Sequence, residues 1–234
     1  MREIPLISIA SVNACQNRCA HCAHQGIRDD DPSYQMPLDD VRALLDRLDA
    51  LDCKVLNVSI AGPGEPLLWK HFNQAVRLLA GNRHVVKVEA TTNGRALHVI
   101  EDDVWALLSP LYISLYGDPI DGAILAKHPE IRFNVRNTFW FVDESRVPVK
   151  SCSACGCPGA TYYKGRIYPY CGPVLFDACN LGKVSPIQCS VPLSEYDPSN
   201  LPPMPYMRNL PCGWCWANPV VPKILETHRQ RSGQ

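Results

Sequence analysis

Three cysteines lie close together near the start of the chain and have the spacing of metal ligands. They are Cys15, Cys19 and Cys22, and they follow an apolar run over residues 4–12 that is typical of a strand. Iron–sulfur clusters are normally held by four cysteine thiolates. Three thiolates bind three irons of a four-iron cluster and leave the fourth iron to a substrate or cofactor. The spacing therefore indicates a [4Fe-4S] cluster with one open iron.

The same three thiols could instead form a zinc knuckle or remain as buried free cysteines. Zinc takes four ligands, and His24 could be the fourth. A zinc knuckle does not require a glycine and a carboxylate at the end of the next strand. The chain carries both there, as Gly64 and Glu65, in the order expected along one edge of a parallel sheet. This order favours the iron–sulfur interpretation.

The cysteine segment and the Gly-Glu pair after the next strand resemble the radical S-adenosylmethionine (SAM) superfamily. The resemblance implies a shortened partial (β/α) barrel in which SAM binds the open iron through its methionyl amino and carboxylate groups. It also implies reductive cleavage of SAM to a 5′-deoxyadenosyl radical. The electron would come from an external reductant of the flavodoxin or ferredoxin type.

The resemblance also assigns SAM contacts to residues at the strand ends. Residues 61–67 are similar to the superfamily's Gly-Gly-Glu-Pro motif, except that Pro63 interrupts the glycine pair. Gly64 and Glu65, with Gly62 as a further candidate, would contact the SAM amino group, because glycine allows close backbone approach and a carboxylate pairs with a cation. The other implied contacts are Asn93 in the same pocket, Ser114 at the ribose and His21 at the adenine.

Strand-like and helix-like segments alternate through the first two-thirds of the chain. The apolar patterns predict strands over residues 4–12, 54–60, 85–91, 111–115 and 131–142, and helices over 36–51, 69–80, 99–108 and 121–127. This βαβαβαβαβ order predicts an α/β fold with a parallel sheet and crossover helices. We expect Pro37 to lie in the first turn of the first helix.

The composition changes near Arg146. From there to Pro222 the chain carries 13 of its 21 prolines and eight of its 12 cysteines. A segment of this kind is usually organised by metal or disulfides, because it cannot build an ordinary core. We therefore predict a barrel domain over residues 1–146 and a small Cys/Pro-rich domain over 147–234.

The second domain resembles the auxiliary-cluster domains known as SPASM and twitch. This resemblance rests on a hairpin-like segment over residues 162–171 and on the later Cys-x2-Cys pair, Cys212 and Cys215. It implies at least one auxiliary [4Fe-4S] cluster, with a preferred ligand set of Cys155, Cys171, Cys212 and Cys215. One alternative has Cys152 or Cys157 in place of Cys155. The others are a second cluster formed by the four remaining cysteines, Cys152, Cys157, Cys179 and Cys189, and a structural zinc ribbon. Cys53 is expected to be a small buried residue.

Charge and hydropathy exclude several classes of partner. The chain has 23 basic and 23 acidic side chains and therefore no excess of positive charge. Its charge gives no indication of a nucleic-acid partner. No apolar run has the length of a membrane span, and the first residues lack the pattern of a signal peptide. We expect a cytoplasmic protein with cysteines that bind metal rather than form disulfides.

The complete plan resembles the small dehydrogenase branch of the superfamily, one member of which oxidises a secondary alcohol of an aminocyclitol. It implies a radical SAM oxidoreductase acting on a small sugar- or cyclitol-like substrate, assisted by the auxiliary cluster. One alternative is a radical SAM maturase that epimerises or cross-links a ribosomal peptide; we expect no additional peptide-recognition domain, which disfavours it. The second alternative is a zinc-stabilised binding module.

Three polar residues alternate along the fifth predicted strand and should share one face of the sheet. Arg132, Asn134 and Arg136 are candidate substrate contacts if this face lines the barrel. The ordinary alternative is a half-exposed edge strand. The catalytic base is not identified by the sequence.

Overall fold

The computed structural model describes residues 1–17, 31–115, 120–135, 159–169 and 190–199. The strands are β1 (Arg2–Ile4), β2 (Leu6–Ala10), β3 (Cys53–Val55), β4 (Val58–Ala61), β5 (Val88–Thr92), β6 (Leu108–Leu115), β7 (Arg132–Val135), β8 (Gly159–Tyr163), β9 (Arg166–Pro169) and β10 (Val191–Pro192). The α-helices are α1 (Leu38–Ala50), α2 (Phe72–Ala80), α3 (Asp102–Leu107) and α4 (Gly122–Lys127). Short 3-10 turns occupy Pro66–Leu68, Leu97–Val99 and Leu193–Glu195.

Eight of these strands form one sheet in the order β10-β9-β8-β2-β4-β5-β6-β7. The pairs from β8 through β2 to β7 are parallel, and β9 and β10 continue the sheet in antiparallel fashion. In the described part of the chain, helices connect the parallel strands from β2 to β7, as a crossover requires. The predicted α/β fold is confirmed, with a sheet that is mostly rather than wholly parallel.

Two predicted strands are each divided into two shorter strands. The run over residues 4–12 contains β1 and β2, separated at Pro5, which has no N–H group for a sheet ladder. The run over 54–60 contains β3 and β4. The first halves, β1 and β3, pair with each other in a separate two-stranded parallel sheet. The chain therefore moves from the small sheet to the large one twice, a change that apolar periodicity does not record.

The helices occur where the sequence predicts them, but several begin later. Pro37 is the capping residue before α1 rather than a member of its first turn. A 3-10 turn capped by the Glu65 side chain precedes α2, and another 3-10 turn precedes α3. The last predicted helix is confirmed as α4, and the Asp121 side chain accepts a hydrogen bond from Ala123 N at its start.

The hydrophobic core lies between the helices and one face of the large sheet. Successive residues of a strand point to opposite faces, so residues that are paired in register on neighbouring parallel strands share a face. On the helix side the sheet presents buried apolar residues: Ile7, Ile9, Val58, Ile60, Val88 and Ala90. They belong to the same core as the helix residues Val41, Leu44, Leu48, Phe72, Val76 and Leu79.

The hairpin expected in the Cys/Pro-rich part is present as β8 and β9. Its two turn residues, Lys164 and Gly165, both have positive φ, 47° and 71°, as a tight hairpin turn requires. β8 pairs in parallel with β2, so strands from both sides of the predicted boundary share one sheet. The boundary near residue 146 lies outside the described residues, and the division into two domains stays a prediction.

Candidate functional site

The predicted SAM-site residues that the structure describes lie at the carboxyl edge of the parallel sheet. Cys15 follows β2, Gly64 and Glu65 follow β4, Asn93 follows β5, and Ser114 lies near the end of β6. Parallel strands end at the same edge, where α/β proteins usually bind their ligands. The order seen in the sequence therefore corresponds to a spatial cluster.

Gly64 lies directly against the chain that leads into the cysteines. Its N–H donates to Val12 O at 2.8 Å, and the next N–H, that of Glu65, donates to Ala14 O at 2.8 Å. A Cβ atom on residue 64 would lie 2.2 Å from Ala14 O, whereas one on Gly62 would meet nothing nearer than 3.3 Å. Only glycine fits at position 64, where the backbone packs against the segment that leads into the cysteines. The predicted contact of Gly64 with SAM stays a prediction.

The Glu65 side chain is buried and joins two strand ends. Its Oε1 accepts hydrogen bonds from Leu67 N at 3.1 Å and from Thr92 Oγ1 at 2.5 Å, and its Oε2 accepts one from Asn93 N at 2.7 Å. Burial raises the pKa of Glu65, although these three hydrogen bonds act to lower it. An ionised carboxylate has about four acceptor sites, so about one remains for a ligand. The predicted contact with the SAM amino group stays a prediction.

Asn93 lies in a tight turn that brings its side chain to Cys15. Thr92 Oγ1 accepts from Gly94 N at 3.0 Å, Asn93 Oδ1 accepts from Arg95 N at 3.0 Å, and Gly94 has a positive φ of 81°. The Asn93 Nδ2 group donates to Gln16 Oε1 at 3.1 Å and lies 3.9 Å from Cys15 Sγ. One residue therefore contacts both the Glu65 carboxylate and the first cysteine.

Cys15 is, of the three cysteines near the start of the chain, the one that the structure describes. It is a free cysteine of intermediate exposure, next to an amide donor. A partly exposed sulfur beside an N–H donor fits a thiolate ligand, since hydrogen bonds to sulfur are usual at iron–sulfur clusters. Cys19, Cys22 and His21 lie outside the described residues.

The face of the sheet opposite the helices is polar. Thr161, Ser8, Ser59 and Glu89 form one row across four strands, because each is paired in register with the next. Thr91, Tyr112 and Arg132 form the row nearer the carboxyl edge in the same way. Glu89 was not among the predicted site residues; its signal in the sequence is a single carboxylate inside an otherwise apolar and hydroxyl-bearing strand. Its carboxylate is 3.6 Å from Lys87 Nζ.

Ser114 is buried on this polar face and is paired in register with Asn134 of β7. Arg132 lies two residues before Asn134 and is exposed. β7 is the last strand of the described sheet, so these candidates occupy its edge. The side chain of Asn134 and all of Arg136 lie outside the described part of the chain, and their contact with a substrate stays a prediction.

The cysteines proposed for an auxiliary cluster, Cys155, Cys171, Cys212 and Cys215, are likewise outside the described residues, as are Cys152, Cys157, Cys179 and Cys189. Cys53 is described and fully buried, and burial raises the pKa of its thiol. This agrees with its predicted role as a small core residue.

Fold and site together define an α/β protein with a thiol, an amide and a carboxylate at the carboxyl edge of a parallel sheet. Residues 9–123 match the model of the Radical SAM superfamily. This match covers Cys15, Glu65, Asn93 and Ser114, and supports a radical SAM domain in this part of the chain.

Comparison with individual proteins agrees with this domain. Two curated relatives, the GTP 3′,8-cyclases of Stenotrophomonas maltophilia strains K279a and R551-3, are each 27% identical over 96 residues, which is 41% of this chain and 28% of theirs. The chain thus matches less than a third of the length of these relatives.

Two crystal structures of BtrN share the fold. BtrN in an open conformation has a TM-score of 0.55 at 15% identity, with 93% of this chain and 90% of that chain covered. BtrN in complex with AdoMet and 2-DOIA has a TM-score of 0.55 at 13% identity, with coverages of 99% and 91%. The likeness extends over nearly the whole chain and shows a shared fold. Among the described residues, no helix has the length and apolar character needed to span a membrane.

Proposed function

We propose that this protein is a radical SAM oxidoreductase that acts on a small hydroxylated substrate. The observation that carries the proposal is the position of Asn93, which contacts the Glu65 carboxylate at 2.7 Å and approaches the Cys15 thiol at 3.9 Å. Residues that the superfamily resemblance selected from three separate segments thus lie at one edge of the sheet. In this proposal Cys15, Cys19 and Cys22 hold a [4Fe-4S] cluster whose open iron binds SAM.

The chain's own residues would bind and orient SAM. Gly64 lets the backbone approach closely, and Glu65 offers its remaining acceptor site to the SAM amino group. Ser114 would bind the ribose, and His21 would lie against the adenine. When bound, the reduced cluster and SAM supply a 5′-deoxyadenosyl radical for hydrogen abstraction.

The polar face of the sheet supports a small substrate with hydroxyl groups. Hydroxyl side chains and Glu89 line two rows below the strand ends, and they can exchange hydrogen bonds with a hydroxylated ligand. Arg132, Asn134 and Arg136 are proposed contacts at its edge. The names of similar proteins support a small-molecule substrate, since the curated relatives are named for GTP and one BtrN structure holds AdoMet and 2-DOIA.

Oxidation of a secondary alcohol requires the substrate to lose a hydrogen atom from carbon, a proton from oxygen and one further electron. We propose that Cys155, Cys171, Cys212 and Cys215 hold an auxiliary [4Fe-4S] cluster, which would accept the further electron. A basic group that the sequence does not identify would accept the hydroxyl proton. An external reductant of the flavodoxin or ferredoxin type would supply the electron that cleaves SAM.

The test is to reconstitute the chain anaerobically, measure iron, sulfide and zinc, and then add SAM and dithionite. We expect about eight irons per chain and formation of 5′-deoxyadenosine. Cys15→Ala should abolish that product, whereas Cys53→Ala, which changes a buried cysteine away from the proposed ligands, should retain it. Zinc without iron, or 5′-deoxyadenosine from Cys15→Ala, would overturn the proposal.

A further inference from the structure

The chain on the two sides of the cysteines is joined by the side chain of Asn13. Asn13 is fully buried, its N–H donates to Tyr34 O at 3.1 Å, and its Nδ2 donates to Asp31 O at 2.8 Å. An isolated antiparallel bridge pairs Val12 with Gln35 next to these contacts. The residues just before Cys15 are thus hydrogen-bonded to residues 31–35, which follow the cysteine segment.

The tip of the β8–β9 hairpin covers this junction. Tyr163 Oη is 3.1 Å from Asn13 Nδ2, and the Tyr163 ring meets the Tyr34 ring edge to face with centroids 5.0 Å apart. Lys164 Nζ is 2.8 Å from Asp31 Oδ2 and lies 5.1 Å from the Tyr34 ring centroid and 5.4 Å from that of Tyr163. We call these five residues, Asn13, Asp31, Tyr34, Tyr163 and Lys164, the hairpin clasp.

The clasp combines several kinds of interaction at one point. The buried amide of Asn13 needs partners, and Tyr163 supplies one of them from a segment that is distant in sequence. The turn geometry fixes the position of Lys164, whose ammonium group meets a carboxylate and two aromatic faces. Such contacts reduce the freedom of the chain on both sides of the cysteines, and less ordering is then needed when metal binds.

We propose that the residues of the hairpin clasp position the segment that holds the SAM-binding cluster through Cys15, Cys19 and Cys22. The β8–β9 hairpin, which follows residue 146, would thus help the protein to retain that cluster. This inference rests on the proposed function. It differs from the auxiliary-cluster proposal because it concerns the described hairpin and not the cysteines around it. It also differs from a general contribution to folding, which would not act selectively on the metal.

The test uses substitutions that remove one clasp interaction each. Tyr163→Phe removes a hydroxyl but keeps the ring, and Lys164→Met removes the charge but keeps the stem. The matched controls are Tyr162→Phe, whose buried side chain lies on the other face of the same strand, and Lys127→Met, which breaks the surface ion pair with Asp102. Lys164→Arg serves as the conservative variant.

Each variant of the 234-residue chain is reconstituted and reduced. An iron chelator is then added, and the part of the electron paramagnetic resonance signal that SAM perturbs is followed over time. This signal reports the SAM-binding cluster and not an auxiliary one. We expect Tyr163→Phe and Lys164→Met to lose it about fivefold faster than wild type, since one hydrogen bond or charge contact is removed. The controls and Lys164→Arg should remain within about twofold of wild type.

The outcomes separate the two proposals. If wild type takes up no iron, the proposed function fails and this inference fails with it. If wild type shows the SAM-perturbed signal and the clasp variants lose it no faster than the controls, only the positioning role is overturned. Equal acceleration in Tyr162→Phe and Tyr163→Phe, with equal loss of thermal stability, would also overturn it, because that result indicates a general effect on folding.

Discussion

The Glu65 carboxylate accepts a hydrogen bond from the main-chain N–H of Asn93 at 2.7 Å. This contact joins the carboxyl end of β4 to that of β5 and fixes the turn that presents Asn93 to Cys15. Thr92 and Leu67 donate to the same carboxylate, so all of its described partners are donors. Glu65 therefore organises the candidate site as well as being a candidate ligand contact.

Glu65→Gln should destabilise the metal-free protein by about 1–3 kcal/mol. The NH2 group of the new amide must face one of the hydrogen-bond donors that now bind the carboxylate, and that donor is then left without an acceptor. Denaturant unfolding of the two proteins measures this difference. Glu130→Gln, a surface substitution, should change the free energy of unfolding by less than about 0.5 kcal/mol. An equal effect of the two substitutions would show that the Glu65 hydrogen bonds do not hold the strand ends together.

Gly64→Ala should be far more damaging than Gly122→Ala. The new Cβ would lie 2.2 Å from Ala14 O and 2.6 Å from Asn13 C, both of which are backbone atoms. We expect a loss of about 3 kcal/mol or more, or failure to fold. Gly122→Ala is the matched control, because its Cβ would meet nothing within 4 Å at the start of α4. It should be neutral or stabilising by up to about 1 kcal/mol, and similar unfolding of the two variants would contradict this prediction.

The two proposed clusters should be removable separately. Cys19→Ala should end SAM cleavage yet retain about four irons, whereas the double variant Cys212→Ala, Cys215→Ala should retain about four irons and still form 5′-deoxyadenosine. Iron analysis and product chromatography on both proteins test this. Loss of all iron from the double variant would instead indicate that the clusters share one folding unit.

The Asp31–Lys164 ion pair should make stability depend on pH. The hydrogen bond from Lys164 lowers the pKa of Asp31 below its ordinary value. A carboxyl group with a lower pKa in the folded than in the unfolded chain stabilises the fold above its unfolded pKa, and this contribution is lost as the pH falls through its folded pKa. The free energies of unfolding of metal-free wild type and Asp31→Asn should differ near pH 7, by less than about 1 kcal/mol, and converge below about pH 4.

Asp40 provides a control of opposite sign for this pH dependence. Burial raises the pKa of Asp40, with the neighbouring Asp39 acting in the same direction. Wild type should therefore gain stability relative to Asp40→Asn as the pH falls through the raised pKa. Denaturant titrations between about pH 7 and about pH 3 measure both series. The same trend in both would show that general charge repulsion, and not these two side chains, controls the result.

The regular elements were predictable because they depend on local patterns. The apolar spacing of Val41, Leu44, Leu48 and their neighbours is that of a helix packed on a sheet, and α1 forms there. The internal ends of the strands were not predictable. β1 and β3 lie outside the large sheet and pair with each other. This pairing joins residues about fifty positions apart, so no local pattern specifies it.

The candidate site was partly predictable for the same reason. The glycine and carboxylate motif identified Gly64 and Glu65, and the Thr-Asn-Gly turn identified Asn93. The partners of these residues were not predictable, because the hydrogen bonds of Glu65 come from the next strand and from its own turn. The contact of Tyr163 with Asn13 joins residues that are 150 positions apart, and no periodicity in the sequence specifies it.

By itself the sequence determined the alternation of elements and was enough to predict a class of chemistry, because apolar periodicity and thiol spacing are properties of short segments. The tertiary structure alone decided which groups meet. It set the strand order that places β8 next to β2, the register that collects Ser8, Ser59, Glu89 and Thr161 in one row, and the junction at Asn13. The physical reason is that strand pairing and side-chain packing are satisfied by the whole chain at once, so their outcome is not contained in any one segment.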